Sequence, residues 1–329
     1  MCWFITLLVL GIAAGTLPAG ESMSFGVAPT PRNFPAHSRE DIQDMFKRSA
    51  ELGSHAMFIY QWSQADLFDV AGNMTALAKA QGLTVTLSLS PTKLDKRGEP
   101  DLPQALRERC APQVSFANPL LSAEFSAAAV RLASLKPAYL CLATEINFLA
   151  IADIKEYVAF AAACHRAYPL IKAASPQTQV YVSFQWDIFR LMDTREPAKI
   201  DEHSKLIDVF RPALDTVAFT SYPAEITGTP AAMPPDYYAG ILRHVKASDT
   251  VIFSELGWPS GGKGSEAQQA EFIRRLPALM EKVRPKVVVW SLLHDVNHPA
   301  LGVSLSSTGL RTSRGEEKAA WSAWRRLRQ

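Results

Sequence analysis

Short apolar runs recur along the chain and are separated by longer segments with helical periodicity. The runs are rich in β-branched and aromatic residues, and most are apolar at successive positions, which is typical of strands buried on both faces of a parallel sheet. They predict eight strands, at Ser24–Ala28, His55–Tyr60, Leu83–Leu89, Ala138–Ala143, Val180–Phe184, Thr216–Thr220, Thr250–Phe253 and Lys286–Trp290.

The segments between these runs predict a helix after each strand. The first helix begins at Ser38, where a serine N-cap precedes acidic residues in the first turn. The other helices are predicted at 65–80, 122–135, 153–168, 204–214, 235–245, 266–283 and 314–328. Eight strands that are each followed by a helix predict an α/β protein, a single (β/α)8 TIM barrel over residues 21–329.

A doubly wound open sheet is the alternative arrangement for these elements. Such a sheet usually carries a glycine-rich phosphate turn after its first strand, and Pro29–Asn33 contains no glycine. On the last helix, Trp321 and Trp324 are three residues apart, and this spacing predicts that both pack against the barrel.

The first twenty residues differ from the rest of the chain. Trp3–Ala19 carries no charge, and its centre, Phe4–Leu10, is strongly apolar. The short length and the small residues that follow favour a signal peptide over a membrane span. Since no Lys or Arg precedes the apolar run, an uncleaved anchor remains the alternative. We therefore expect a secreted or periplasmic protein, or one anchored through this segment, with no other membrane span.

Composition and charge exclude several classes of protein. The chain is 48% hydrophobic, with a net charge of +2 and no basic stripe of the kind that nucleic-acid-binding proteins carry. The four cysteines match no zinc spacing. His294, Asp295 and His298 follow the eighth strand and are more typical of a hydrogen-bonded turn than of a metal site. We expect no metal, no cofactor and no nucleic-acid partner.

Two glutamates stand where predicted strands end. Glu145 follows the fourth strand and Glu255 the seventh, and a (β/α)8 barrel carries its active site at the carboxyl ends of its strands. A charged side chain there is costly unless it is paired or functional. Retaining glycosidases use two carboxyl groups about 5–5.5 Å apart, one as nucleophile and one as acid/base. Salt bridges that close the barrel top are the alternative interpretation.

Aromatic and polar residues accompany the two glutamates at the predicted strand ends. Aromatic faces stack on sugar rings, while amides and carboxylates bind sugar hydroxyls. The expected partner is therefore a carbohydrate substrate. The predicted substrate-binding residues are Tyr60, Trp62, Thr144, Asn147, Trp186, Asp187, Tyr222, Trp258 and Trp290.

The segment Phe253–Ser260 resembles the nucleophile segment of the β-1,3-glucanases and, more loosely, that of the endo-β-1,4-galactanases. Both are clan A retaining glycoside hydrolases, in which the acid/base follows strand four and the nucleophile follows strand seven. The resemblance implies that Glu255 is the nucleophile and Glu145 the acid/base. It further implies that Tyr222 donates a hydrogen bond to the nucleophile and that Trp290 forms a sugar platform, joined to Ser291 by a cis peptide bond.

The chain departs from this family at the fourth strand. The clan has Asn directly before the acid/base, where it binds the sugar 2-hydroxyl, and this chain has Thr144 there and Asn147 two residues after the glutamate. The clan's usual strand-two arginine is also missing, and the segment Tyr60-Gln61-Trp62 stands in its place.

The sequence predicts a retaining glycosidase that cleaves a β-linked oligo- or polysaccharide. Because two nearby carboxylates resist double ionisation, one is expected to have a raised pKa, and the acid/base role predicts that it is Glu145. A barrel that binds glycan without turnover is the alternative, and a transglycosylase is a third hypothesis.

Overall fold

A computed structural model describes residues 23–298 and 301–327, and the leader predicted over residues 1–20 lies outside these ranges. The described residues form one parallel sheet with the strand order β5-β4-β3-β2-β1-β9-β8-β7-β6. The strands are β1 (Ser24–Val27), β2 (His55–Gln61), β3 (Thr84–Ser90), β4 (Tyr139–Cys141), β5 (Gln179–Tyr181), β6 (Ser183–Gln185), β7 (Val217–Ser221), β8 (Val251–Leu256) and β9 (Val287–Trp290).

The sheet closes into a barrel through its two end strands. Only Val182 separates β5 from β6, so these are two halves of one barrel strand. The Leu142 amide donates to Tyr181 O at 2.8 Å and the Ser183 amide donates to Ala143 O at 2.9 Å, so pairing with the fourth strand continues across the break. β7, β8 and β9 are then the sixth, seventh and eighth barrel strands, and the predicted (β/α)8 fold is confirmed.

Helices follow the strands around the outside of the barrel. They are α1 (Arg39–Leu52), α2 (Leu67–Ala80), α3 (Gln104–Cys110), α4 (Pro119–Ala133), α5 (Asn147–Ala152), α6 (Ile154–Ala174), α7 (Trp186–Arg195), α8 (Ile200–Asp208), α9 (Ala224–Thr227), α10 (Glu266–Met280), α11 (Gly302–Ser306) and α12 (Ala319–Arg326). Three short 3-10 segments cover Pro197–Lys199, Pro230–Ala232 and Ala239–Arg243.

The ends of several helices can be traced to individual residues. Ser38 caps α1, because its Oγ accepts from the Asp41 amide at 3.2 Å while the Asp41 carboxylate accepts from the Ser38 amide at 2.9 Å. The prediction of a helix at 235–245 is wrong, since only the 3-10 segment Ala239–Arg243 forms there. Within this segment, Gly240 lies so close to the Trp186 ring that an added Cβ would stand 2.9 Å from the ring.

Each strand separates two apolar layers. The layer inside the barrel contains Met57, Tyr139, Cys141, Tyr181, Ala218, Ile252, Val287 and Val289. The larger layer lies between the strands and the surrounding helices. Because successive residues of a strand point to opposite faces, this division decides which side chains can reach the active-site cleft and which pack under the helices.

A bulge in β8 aims Glu255 into the barrel. Phe219 of β7 pairs with Phe253, but the next residue, Thr220, pairs with Glu255, so Ser254 is the extra residue. Strict alternation from the inward-facing Ile252 would turn Glu255 outward. The bulge restores its inward direction, so a local irregularity in the strand positions the candidate nucleophile.

Among the described helices, none is both long enough and apolar enough to span a membrane.

Candidate active site

Glu145 lies at the carboxyl rim just beyond β4, in a backbone conformation with φ of 55°. A left-handed conformation at a residue other than glycine is uncommon and costs about 1–2 kcal/mol. It is held by the Glu145 amide, which donates to Ser183 Oγ at 3.0 Å. The carboxylate accepts from Thr220 Oγ1 at 2.8 Å through Oε1 and from Arg97 Nε at 3.4 Å through Oε2. Both oxygens of Glu145 therefore have partners.

Glu255 lies deeper in the barrel and is 7% exposed. Its Oε2 accepts from Tyr222 Oη at 2.8 Å. Its Oε1 is buried and has no hydrogen-bond partner among the described residues. Burial, and then the charge of Glu145, raises the pKa of Glu255 to about 7, although Arg97 and the Tyr222 hydroxyl oppose the shift.

Strand β7 connects the two glutamates. Thr220 and Tyr222 are two residues apart and therefore point to the same side, and each donates one hydrogen bond, Thr220 to Glu145 and Tyr222 to Glu255. Thr220 is also the backbone partner of Glu255 across the ladder. The two carboxylates therefore lie near each other at the carboxyl rim of the barrel. That they face each other across a cleft at about 5–5.5 Å remains a prediction.

The acid/base role predicted a raised pKa on one of the two glutamates, and the structure raises the pKa of Glu255, the candidate nucleophile. The main cause is desolvation, because Glu255 is buried with one oxygen unpartnered.

Arg97 is a site residue that the sequence analysis missed. It lies in the loop between β3 and α3, and its side chain is 9% exposed and within 3.4 Å of Glu145. Its Nη1 donates to Ser90 Oγ at 3.1 Å. No periodicity marks a loop residue, so the only signal was its position after a barrel strand. Thr220 was also missed, although its place two residues before Tyr222 predicts the same facing.

The expected contacts of Tyr60 and Trp62 with substrate are wrong for this structure. Both side chains are 5% exposed and belong to the layer under the helices, where Trp62 packs on Phe125 with ring centroids 5.4 Å apart. Gln61 points instead to the barrel side, and its Nε2 donates to Thr92 O at 3.0 Å. The alternation of β2 separates Gln61 from its aromatic neighbours.

Trp186 and Asp187 are also buried, at 1% exposure each, and do not line the cleft. Trp186 Nε1 donates to Tyr237 O at 3.1 Å. The Asp187 carboxylate accepts from the Tyr222 amide at 2.7 Å and from the Tyr237 hydroxyl at 2.6 Å, and burial raises its pKa. Asp187 therefore fixes the backbone of Tyr222 and reaches the site only through that residue.

The polar residues around Glu145 are engaged with the protein. Thr144 is fully buried, with its Oγ1 3.0 Å from Ser88 Oγ. The Asn147 side chain pairs with the backbone of Gln185, donating to its carbonyl at 3.1 Å and accepting from its amide at 2.8 Å. Thr144 therefore contacts β3 and Asn147 contacts β6, and their expected contacts with a sugar remain a prediction.

Trp258 and Trp290 are fully buried in the layer under the helices, so their expected role as sugar platforms is wrong here. Trp290 Nε1 donates to Thr308 O at 2.7 Å, and its ring lies 5.5 Å from that of Trp324. The cis peptide bonds of the described residues are X-Pro bonds, so the Trp290–Ser291 bond is trans. Because Val289 faces the barrel interior, alternation turns Trp290 outward and Ser291 inward.

Gly257 leaves room for the Tyr222 ring that lies beside it. A Cβ at this position would lie 2.5 Å from the Tyr222 ring and 2.9 Å from Ser291 Oγ. Any larger residue would therefore displace the tyrosine that contacts Glu255. Among the described residues, no group of three or more His, Cys, Asp or Glu side chains is placed to hold a metal ion.

Solved structures of similar fold include several glycoside hydrolases. A GH5_18 enzyme from Bifidobacterium longum subsp. longum has a TM-score of 0.70 and 18% identity, over 93% of this chain and 78% of that one. Xylanase 10B from Thermotoga maritima has a TM-score of 0.64 and 12% identity, over 93% and 94% of the two chains. A fungal β-1,4-galactanase has a TM-score of 0.64 and 16% identity, over 92% and 94%.

The fold is therefore the one found in clan A glycoside hydrolases, as the sequence resemblance implied. At these identities the likeness extends to the fold alone. No protein-family model matches the sequence, and neither does any curated protein sequence.

Proposed function

We propose that this protein is a retaining glycosidase that cleaves β-linked oligo- or polysaccharides, with Glu255 as nucleophile and Glu145 as acid/base. The observation that supports it most is the arrangement at the end of β7, where Thr220 donates a hydrogen bond to Glu145 and Tyr222 donates one to Glu255. Two carboxyl groups flanking a bond are what glycoside hydrolysis requires.

The hydrogen-bond partners of the two glutamates support different parts in the reaction. Glu255 Oε1 has no partner among the described residues and is available to attack the anomeric carbon, while Tyr222 orients Oε2. Glu145 protonates the leaving oxygen in the first step. In the second step it takes a proton from water, which releases the sugar from Glu255.

Mutation with azide rescue tests this assignment. Wild type, Glu255→Ala and Glu145→Ala are assayed on aryl β-glycosides, with Glu124→Gln, an exposed carboxylate of α4, as control. Both active-site variants should lose activity by several orders of magnitude. Azide should rescue Glu255→Ala to give an α-glycosyl azide and Glu145→Ala to give a β-glycosyl azide. The opposite configurations would exchange the two roles, and full activity of Glu255→Ala would refute the proposal.

A barrel that binds glycan without turnover is the second candidate. Two observations favour it. Thr144 and Asn147 form hydrogen bonds within the protein. Arg97 donates a hydrogen bond to the Glu145 carboxylate that would have to protonate the leaving group. A mechanism-based 2-fluoro glycoside separates the two candidates. Covalent labelling of Glu255 requires a catalytic nucleophile, whereas saturable binding without labelling or hydrolysis would favour the second candidate.

A further inference from the structure

Arg97 differs from the other basic residues of its loop. Lys93 and Lys96 pair with Glu99 at the surface, with side chains 42% and 60% exposed. Arg97 turns the other way and is 9% exposed beside Glu145. An antiparallel bridge joins Thr92 and Pro100 at the base of this loop, and the Arg97 side chain is held by its contacts with Ser90 and Glu145. A buried cation is thus delivered to the candidate catalytic site.

Arg97 donates a hydrogen bond to Glu145 Oε2, the oxygen that would protonate the leaving group. Glu145 Oε1 accepts from Thr220 and Oε2 accepts from Arg97, so neither oxygen is free for a leaving group. To protonate the glycosidic oxygen through Oε2, Glu145 must part from Arg97. The guanidinium would then be a nearly buried charge without its partner, which is costly unless another acceptor replaces the carboxylate.

A carboxylate on the substrate is the acceptor that best replaces Glu145. A guanidinium offers two parallel N–H donors to a carboxylate, and such a bond is about twice as strong as one to a neutral hydroxyl. Arg97 uses Nε for Glu145 and Nη1 for Ser90, and its Nη2 donates to no other residue in the described ranges. A donor therefore remains for an incoming anion.

The positions of the tryptophans make a polar contact with Arg97 more important for substrate recognition. The four tryptophans that were expected to stack on sugar rings lie in the layer under the helices; they are Trp62, Trp186, Trp258 and Trp290. Without these platforms, recognition has to come largely from polar groups. Among the residues shown to contact the two glutamates, Arg97 is the cation.

We infer that Arg97 recognises a carboxylate on the sugar at the cleaved bond, so that the substrates are acidic β-linked glycans of the uronate type. Binding of this carboxylate draws Arg97 away from Glu145 and frees Oε2 for the leaving oxygen. The inference rests on the proposed glycosidase function and names the substrate class for that site.

Matched pairs of aryl β-glycosides test the inference. Each pair has the same ring stereochemistry and differs only at C6, as hydroxymethyl or carboxylate, for the glucose, galactose and mannose series. Wild type should show the higher kcat/KM on the carboxylate member of at least one pair. In Arg97→Gln that preference should fall about 10- to 100-fold, the range expected for loss of a hydrogen bond to a charged group.

Two further variants test whether the effect depends on the guanidinium group and on the position of Arg97. Arg97→Lys retains the charge but loses the planar fork, so its preference should lie between those of wild type and Arg97→Gln. Arg109→Gln removes an exposed arginine of α3 that pairs with Glu124, and it should leave the preference unchanged. Melting temperatures establish that each variant is folded.

The contrary outcomes separate the inference from the proposed function. If wild type prefers the neutral member of every pair, or if Arg97→Gln lowers both members equally, the inference is overturned and the glycosidase proposal stands. If wild type hydrolyses neither member of any pair and a 2-fluoro glycoside labels no glutamate, the proposed function fails and the inference fails with it.

Discussion

At the scale of single residues, the two glutamates differ in how their charges are compensated. Glu145 has a hydroxyl and a guanidinium as partners, whereas Glu255 has one tyrosine hydroxyl and one unpartnered oxygen. Burial and the nearby charge of Glu145 therefore favour the protonated form of Glu255 and raise its pKa. Since the two groups are close, an assay will report pKa values that belong to the pair.

We expect kcat/KM to rise as the pH increases through about 7, because Glu255 must be ionised to attack. Tyr222→Phe should move this limb to higher pH, since the tyrosine hydroxyl lowers the pKa of Glu255, and should reduce kcat about 10- to 100-fold. The measurement is a pH–rate profile for both proteins. Tyr238→Phe removes a buried hydroxyl that contacts Ser221, and it should leave the limb in place.

The same shift makes Glu255 a source of pH-dependent stability. The folded protein binds the proton of Glu255 more tightly than the unfolded chain, so this proton stabilises the fold below about pH 4.5. The stabilisation is lost as the pH rises to about 7, by an amount on the order of 3 kcal/mol at most.

Glu255→Gln removes this titration and keeps the shape of the side chain. Denaturant titrations from pH 4 to 8 should show that its free energy of unfolding exceeds that of wild type at pH 8 and that the advantage shrinks towards pH 4. A difference that is constant with pH would show that Glu255 does not titrate in this range. A gain of this kind reflects the usual exchange of stability for function at an active site.

At the scale of elements, the sequence predicts where the strands lie but not which face of each strand meets the cleft. Both faces of a barrel strand are buried, so hydrophobicity does not show which side chains point into the barrel and which point to the helices. This applies to Tyr60, Gln61 and Trp62. The prediction favoured the aromatic residues, and the structure turns Gln61 inward. In β8, the bulge at Ser254 reverses the alternation of inward-facing and outward-facing side chains. The hydrophobic pattern of the sequence does not predict this bulge.

The positions that were predicted correctly are those that the chain fixes locally. Ser38 and Asp41 form a complete capping box within four residues, and the α1 start follows from their side chains alone. Arg97 could not be found in this way, because its place at Glu145 depends on how a loop folds across the rim. Long-range contacts of loop residues leave no pattern in the sequence around them.

Gly98 allows this loop to lie against α5. A Cβ on Gly98 would stand 2.6 Å from the Cβ of Ala152, so Gly98→Ala should displace the loop and withdraw Arg97 from Glu145. We expect a change of several-fold or more in kcat/KM and an altered pH profile, with little loss of stability, because the contact lies at the rim and not in the core.

Gly72→Ala is the matched control for this change. Gly72 lies inside α2 with no atom within 4 Å of an added Cβ, so alanine should raise the free energy of unfolding by about 0.5–1 kcal/mol and leave kinetics unchanged. If Gly98→Ala behaves like Gly72→Ala, the loop does not depend on its contact with α5.

At the scale of the whole molecule, the last helix closes the barrel where its first and last strands meet. β1 pairs with β9 over four residues, and α12 covers this seam. Trp324 of α12 packs on Phe25 of β1 at 5.5 Å between ring centroids and on Trp290 of β9 at the same distance. The core positions predicted for Trp321 and Trp324 from their spacing are confirmed, since both are fully buried.

Trp324→Ala should lower the free energy of unfolding by about 3–5 kcal/mol, because it leaves a large cavity at the seam and removes the hydrogen bond from Nε1 to Leu52 O. Trp324→Phe keeps an aromatic ring and should cost less. Guanidinium titrations give both values. Because Trp324 contacts neither glutamate, kcat per folded molecule should be unchanged well below the transition. An unfolding midpoint equal to that of wild type would mean that α12 does not hold the seam, whereas loss of kcat in a folded variant would show that the seam also shapes the rim where Ser291 and Tyr222 meet.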